Sequence, residues 1–134
     1  MKENGYRYTE QGGDYRILFN PINSSLGREA YSLKKDSNGF VITGGDTNGL
    51  MYGGLQLAEA IHVETDLDRI QDKEEGKSYL EKRGLNVRPA LDMRTPGYTN
   101  QADCVRLNEA DSWNLDYWKG LFDNMARMRY NTLA

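Results

Sequence analysis

The chain has 134 residues and a formal net charge of −3, with a pI near 5.2 and no basic cluster, so the electrostatic footprint of a nucleic-acid binder is absent. Hydrophobic residues make up 38% and mean hydropathy is −0.78: a thin core for one compact domain, as suits a piece of a larger protein, and no apolar run near the ~20 residues that cross a membrane. Nine Tyr and two Trp argue against disorder, Cys104 alone excludes an internal disulfide or a cysteine-based metal set, and "MKENGYRYTEQGG" lacks the apolar stretch of a signal peptide.

Along the chain, "DYRILF" (Asp14 to Phe19) alternates as a strand and is stopped by Asn20-Pro21, because proline cannot donate to a ladder. "NSSLG" follows as a loop. "EAYSLKK" (Glu29 to Lys35) and "FVIT" (Phe40 to Thr43) alternate on either side of "DSNG", which predicts a hairpin turning at Asn38-Gly39. A helix is expected from Asp46 to Val63. Leu50, Leu57 and Ile61, with Gly54 and Ala58, form its apolar stripe, and Asp46 or Thr47 caps its first amides.

The charged run from Glu64 to Gly76 reads as an exposed loop with a helical turn at most. Tyr79 to Arg83 and Asn86 to Met93 read as two extended segments broken near Pro89, and Pro96 to Asp111 as loop. A second helix starts at Asn114. Leu115, Trp118, Phe122 and Met125 make its stripe, with Asp123 and Arg127 as a surface i,i+4 pair. "YNTLA" at the end begins a strand.

The glycines of "GGDTNGLMYGGLQLAEAI" (Gly44 to Ile61) invite a phosphate-binding reading. A Walker A loop needs Lys followed by Ser or Thr after its last glycine, and here Leu50-Met51 follows Gly49. The dinucleotide fingerprint needs Gly-x-Gly-x-x-Gly, which this spacing never gives. Asp46 sits where a phosphate would dock and repels it. Gly49, Gly53 and Gly54 instead leave a strip free of side chains that lets the helix approach a sheet.

The hairpin followed by "TGGDTNGLMYGGLQLAEAI" resembles the small α/β domain that precedes the catalytic barrel in β-N-acetylhexosaminidases and α-glucuronidases. Glu29, Ala30, Tyr31, Leu33, Val41, Ile42, Gly49, Tyr52, Gly53, Leu55 and Leu57 carry the likeness. Downstream, "KRGLNVRPALDMRT" is similar to the first barrel strand of those enzymes, and "NLDYWKGLFDNMARMRYNTLA" to the first barrel helix leading into the second strand. The resemblance implies an α/β (α+β-like) fold. Residues 1–78 form an accessory domain with a small mixed or antiparallel sheet covered by helices. Residues 79–134 form an incomplete strand-helix-strand from a TIM barrel. It also implies a strand and helix upstream of Met1 that this sequence does not contain.

The resemblance further implies a catalytic carboxyl pair at the fourth barrel strand, beyond this chain, so the chain by itself is expected to hydrolyse no glycoside. Asp92 and Arg94 would lie near the C-terminal end of the first barrel strand, where barrel active sites form. In the family pattern two residues separate the Asp from the sugar-binding Arg and a His follows. Here Met93 alone intervenes and Thr95 follows. Tyr98 and Trp113 are loop aromatics suited to stacking on sugar rings, whereas Trp118 lies on an apolar stripe and reads as core.

His62, the one histidine, sits at a helix C-terminus favoured by the dipole, and with no cysteine cluster it makes no zinc site. No Gly-x-Ser-x-Gly elbow accompanies it. The expected function is a non-catalytic fragment of a carbohydrate-active glycoside hydrolase, with carbohydrate as the parent's partner. No cofactor, metal, nucleic acid or membrane insertion is expected. The alternative is a free-standing α/β carbohydrate-binding or protein-interaction module. If the chain ends inside a barrel, Leu115, Trp118, Phe122 and Met125 lose packing surface and "YNTLA" stays an unpaired edge, so a homo-oligomer, foremost a two-fold dimer, or a disordered C-terminal third is expected.

Overall fold

The hairpin at the centre of the sequence organises the first of two compact units. A computed structural model of the chain describes residues 7, 9, 11–64, 66–87 and 113–134. The units are Met1–Tyr79 and Leu80–Ala134, and each is treated on its own.

In the first unit, β1 (Arg16–Phe19), β2 (Tyr31–Asp36), β3 (Gly39–Gly44) and β4 (Lys73–Gly76) form a four-stranded mixed sheet in the order β1-β3-β2-β4. β1 runs parallel to β3, while β2 is antiparallel to both β3 and β4. The hairpin forms, but its turn falls one residue earlier than expected. Asp36 pairs with Gly39, so the two-residue loop is Ser37-Asn38. Gly39 (φ +151°) closes the ladder at a point where any side chain would strike the Arg16 carbonyl.

Helix α1 (Thr47–Val63) lies over β2 and β3, its N-cap Asp46 accepting from the Gly49 amide. Register puts Leu33, Phe40 and Ile42 on the helix side of the sheet, where they join Leu57, Leu67 and Ile70 in the core, with Leu50, Ala60 and Ile61 packed against them. The helix is expected to bury Ala58 as well, yet Ala58 is exposed. The buried line runs through Gly49, Tyr52, Gly53 and Leu57, and Ala58 is one 100° step off it.

The glycines act in packing. A Cβ on Gly49 would collide with the Ala30 carbonyl, and one on Gly53 would come within 2.6 Å of Ile42 Cγ2. Backbone-to-sheet contact this close needs residues without a side chain.

The charged run after α1 is not simply a loop. A 3₁₀ turn spans Leu67–Arg69, and β4 pairs with β2. Two buried apolar residues, Leu67 and Ile70, pin the segment to the core. Lys35 holds it from the sheet: its amide donates to Asp72 (2.6 Å) and its ammonium to the Asp68 carboxylate (2.9 Å). Charged β4 sits at the sheet's edge, where lysine and glutamate face water without loss of pairing.

In the second unit, β5 (Gly84–Leu85) pairs parallel with β6 (Thr132–Leu133), and α2 (Leu115–Arg127) lies between them in sequence. No strand forms over the expected segment 79–83, and of the expected segment 86–93 only Asn86 and Val87 are described. The strand falls between them, because Gly84 is where a close approach to the Thr132 carbonyl is possible. Residues 88–93 and the loop 96–111, with Cys104, lie outside the described residues. "YNTLA" is not left unpaired: β6 uses one edge on β5, and Ala134 and Val87 extend the ladder (Val87 N to Ala134 O, 2.8 Å). Asn114 caps α2 through the Asp116 amide (2.9 Å). The helix's surface ion pair is Lys119–Asp116 at 3.4 Å rather than Asp123–Arg127. Of its stripe, Met125 is buried and Trp118 half-buried, while Leu115 and Phe122 are 65% and 49% exposed.

Candidate functional site

The side of the sheet opposite α1 is bordered by a short 3₁₀ helix, Ser24–Leu26. Ser32 and Lys34 of β2 face the same way as Thr43 and Val41 of β3, because each pair is in register across the antiparallel ladder. Together with Asn20, Asn23, Leu26 and Glu74 they line an open concavity of about 470 Å³. Asn20 is fixed there by donating from its side-chain amide to Thr43 Oγ1 (3.2 Å) and from its backbone to the Ile42 carbonyl (2.8 Å). The lining offers hydroxyl, amide, ammonium and carboxylate groups with a single leucine and valine between them. Such a surface can hydrogen-bond a polar ligand. It carries no nucleophile–base pair.

A second concavity, of about 620 Å³, lies between the last turns of α1 and the 69–73 segment, and its charged groups are of both signs: Glu59, Glu64, Arg69, Asp72 and Lys73. Among the described residues no three His, Cys, Asp or Glu side chains gather as metal ligands. Among the described residues, the one carboxyl clearly displaced from its ordinary value belongs to Asp36. The Ser37 backbone amide (2.7 Å) is the main cause holding it low, assisted by the Arg16 guanidinium at 3.2 Å. Asp36 sits at a hairpin end in solvent, so this shift reflects turn geometry rather than a reactive site.

The start of α1 answers the phosphate question in atoms. Asp46 Oδ1 accepts from the Gly49 amide at 2.7 Å and Oδ2 from the Glu29 amide at 3.0 Å. Glu29 adopts φ +57° to present that amide. A carboxylate already fills the position where an anion would bind.

Of the residues expected to touch sugar, Asp92, Arg94 and Tyr98 lie outside the described residues. Trp113 is 69% exposed and immediately precedes the Asn114 cap. The structure thus describes one of the four.

Sequence reasoning overlooked a polar clasp at the start of β5 and β6. The Arg83 amide donates to Asn131 Oδ1 (2.9 Å), Arg83 Nε to the Arg129 carbonyl (2.8 Å), and Asn131 Nδ2 to the Glu81 carbonyl (2.8 Å). Arg83 and Asn131 lie within the two barrel-like stretches, but their role as mutual partners is not legible there, because they stand 48 positions apart.

No protein-family model matches the chain. No curated protein matches it either. The chain shares its fold with part of a glycoside hydrolase. A solved structure described as a GH138 enzyme targeting pectin rhamnogalacturonan II superposes with a TM-score of 0.67 over 98% of this chain, at 17% identity. The chain spans 15% of that enzyme's length. At that identity the likeness is one of fold.

Proposed function

We propose that this chain is a non-catalytic N-terminal portion of a carbohydrate-active glycoside hydrolase, in which the first unit buttresses a catalytic (β/α)₈ barrel. What supports the reading above all is the parallel β5–α2–β6 unit directly after the small α/β unit. Both are included in the 98% of the chain that superposes on the glycoside hydrolase. Among the described residues the second unit shows a two-stranded parallel sheet and one helix, whereas parallel strands are ordinarily covered on both faces. Further strands and helices of a barrel would complete it.

Within this reading, the hexosaminidase- and α-glucuronidase-like resemblance is the finer assignment. Asp92, Arg94, Tyr98 and Trp113 are the proposed sugar contacts of the parent. Exposed Leu115 and Phe122 are the side chains that neighbouring barrel elements would cover. An antibody raised against the chain provides the test. A native product well above 15.3 kDa is expected, and a native product of that mass would overturn the proposal. Turnover of aryl glycosides by the purified chain would equally overturn its non-catalytic part.

A second reading, a free-standing carbohydrate-binding module, is favoured by one observation, the polar concavity on the sheet face opposite α1. Chemical-shift changes at Asn20, Ser32 and Thr43 on titration with pectic oligosaccharides would support it. Their absence would remove it.

A further inference from the structure

The two edges of the four-stranded sheet differ in chemistry. β4 carries Lys73, Glu74 and Glu75, the charged dressing that keeps an edge from pairing. β1 carries Ile17, Leu18 and Phe19.

In β1, the Arg16 amide donates to the Asn38 carbonyl and the Asn20 amide to the Ile42 carbonyl. Alternate residues 16, 18 and 20 thus face β3, and the main-chain groups of Ile17 and Phe19 face outward. Register with Phe40 and Ile42 puts both of their side chains on the helix side of the sheet. There α1 covers β2 and β3 rather than β1. Ile17 is 47% exposed and Phe19 58%, the latter reaching the bare backbone of Gly54.

We propose that β1 is a self-association edge, pairing antiparallel with β1 of a second copy about a two-fold axis at Leu18. In that register Ile17 lies opposite Phe19 of the other copy, and vice versa. Outward N–H and C=O groups of both residues are then satisfied reciprocally, as a hydrogen-bonded antiparallel pair requires. The four side chains meet on one side as a continuous apolar cluster. Arg16 falls opposite Asn20, so no like charges face each other. The edge is self-complementary, as an isologous contact must be.

Its size sets its strength. An exposed aromatic side chain offers on the order of 200 Å², so two Ile–Phe pairs fall well short of the ~1,200 Å² of a stable interface. The dimer is weak and concentration-dependent.

Sedimentation and amide exchange of the full chain test this. Raising the concentration should produce dimer and slow exchange at the Ile17 and Phe19 amides, leaving those of Arg16 and Leu18 unchanged. I17K/F19K should lose that protection while keeping the helical circular dichroism of the wild type. L115K/F122K, which alters two exposed apolar side chains of α2, should retain it. A chain that stays monomeric, or a dimer whose Ile17 and Phe19 amides are unaffected, would overturn the proposal. So would protection of those amides that appears only on adding a different protein.

Discussion

Asp46 and Glu29 are joined by a 3.0 Å hydrogen bond from the Glu29 amide to the Asp46 carboxylate, whose other oxygen caps α1 at Gly49. One side chain therefore ties the entry of β2 to the start of the helix that covers it. Loss of a helix cap costs about 1 kcal/mol, and a second charge-assisted bond is lost with it. Asp46→Ala is expected to destabilise the chain by roughly 2–3 kcal/mol. Asp46→Asn, which keeps one acceptor oxygen, should cost less. Urea denaturation followed by circular dichroism measures both.

Gly53→Ala and Gly120→Ala should move stability in opposite directions. Helix propensity favours alanine by about 1 kcal/mol at either position. At Gly53, however, the new methyl would lie 2.6 Å from Ile42 Cγ2, whereas at Gly120 nothing stands within 4 Å. Overpacking of this kind costs about 1–3 kcal/mol, so the first variant should be destabilised and the second stabilised by up to 1 kcal/mol. Equal shifts in melting temperature would contradict the close approach of helix and sheet.

Asn131→Ala should loosen the clasp on β5. The variant removes the acceptor of the Arg83 amide and the donor to the Glu81 carbonyl. Leaving such groups unpaired costs roughly 1–3 kcal/mol. Faster amide exchange at Arg83 and Val87 is the expected signature, and unchanged exchange there would refute it.

Asp36 gives a pH dependence of known sign. Its carboxyl titrates below the ordinary value, chiefly through the Ser37 amide and then through Arg16. A carboxyl depressed by folding contributes stability that is present above its unfolded pKa and is lost as pH falls through its folded pKa. A carboxyl-detected NMR titration should show the low midpoint. Arg16→Gln should raise it only in part, because the larger cause is the backbone bond.

The hairpin, the first helix and its cap were legible because each is fixed by neighbours in sequence: alternation on β2 and β3, Asp46 three residues before Gly49. The glycines were legible as packing devices because their spacing fits no phosphate loop. β4 was hidden because edge strands tolerate charge, and nothing local in "KEEG" announces that Lys35 and the buried pair Leu67 and Ile70 hold it in place. β5 was misplaced because two residues make no periodic pattern. Of the expected sugar contacts, Trp113 is an exposed residue beside a helix cap, and Asp92, Arg94 and Tyr98 lie outside the described residues.

The clasp between Arg83 and Asn131 closes a loop across 48 positions, whereas the β2–β3 ladder closes over Ser37 and Asn38 alone. Short loops close in well under a microsecond and hairpins form in microseconds, while pairings between distant positions must first overcome a larger loop entropy. The two units should therefore not acquire structure together. As the chain leaves a ribosome, the sheet and α1 can assemble while α2 and β6 are still being made. β5 waits for β6, which leaves the ribosome only after α2.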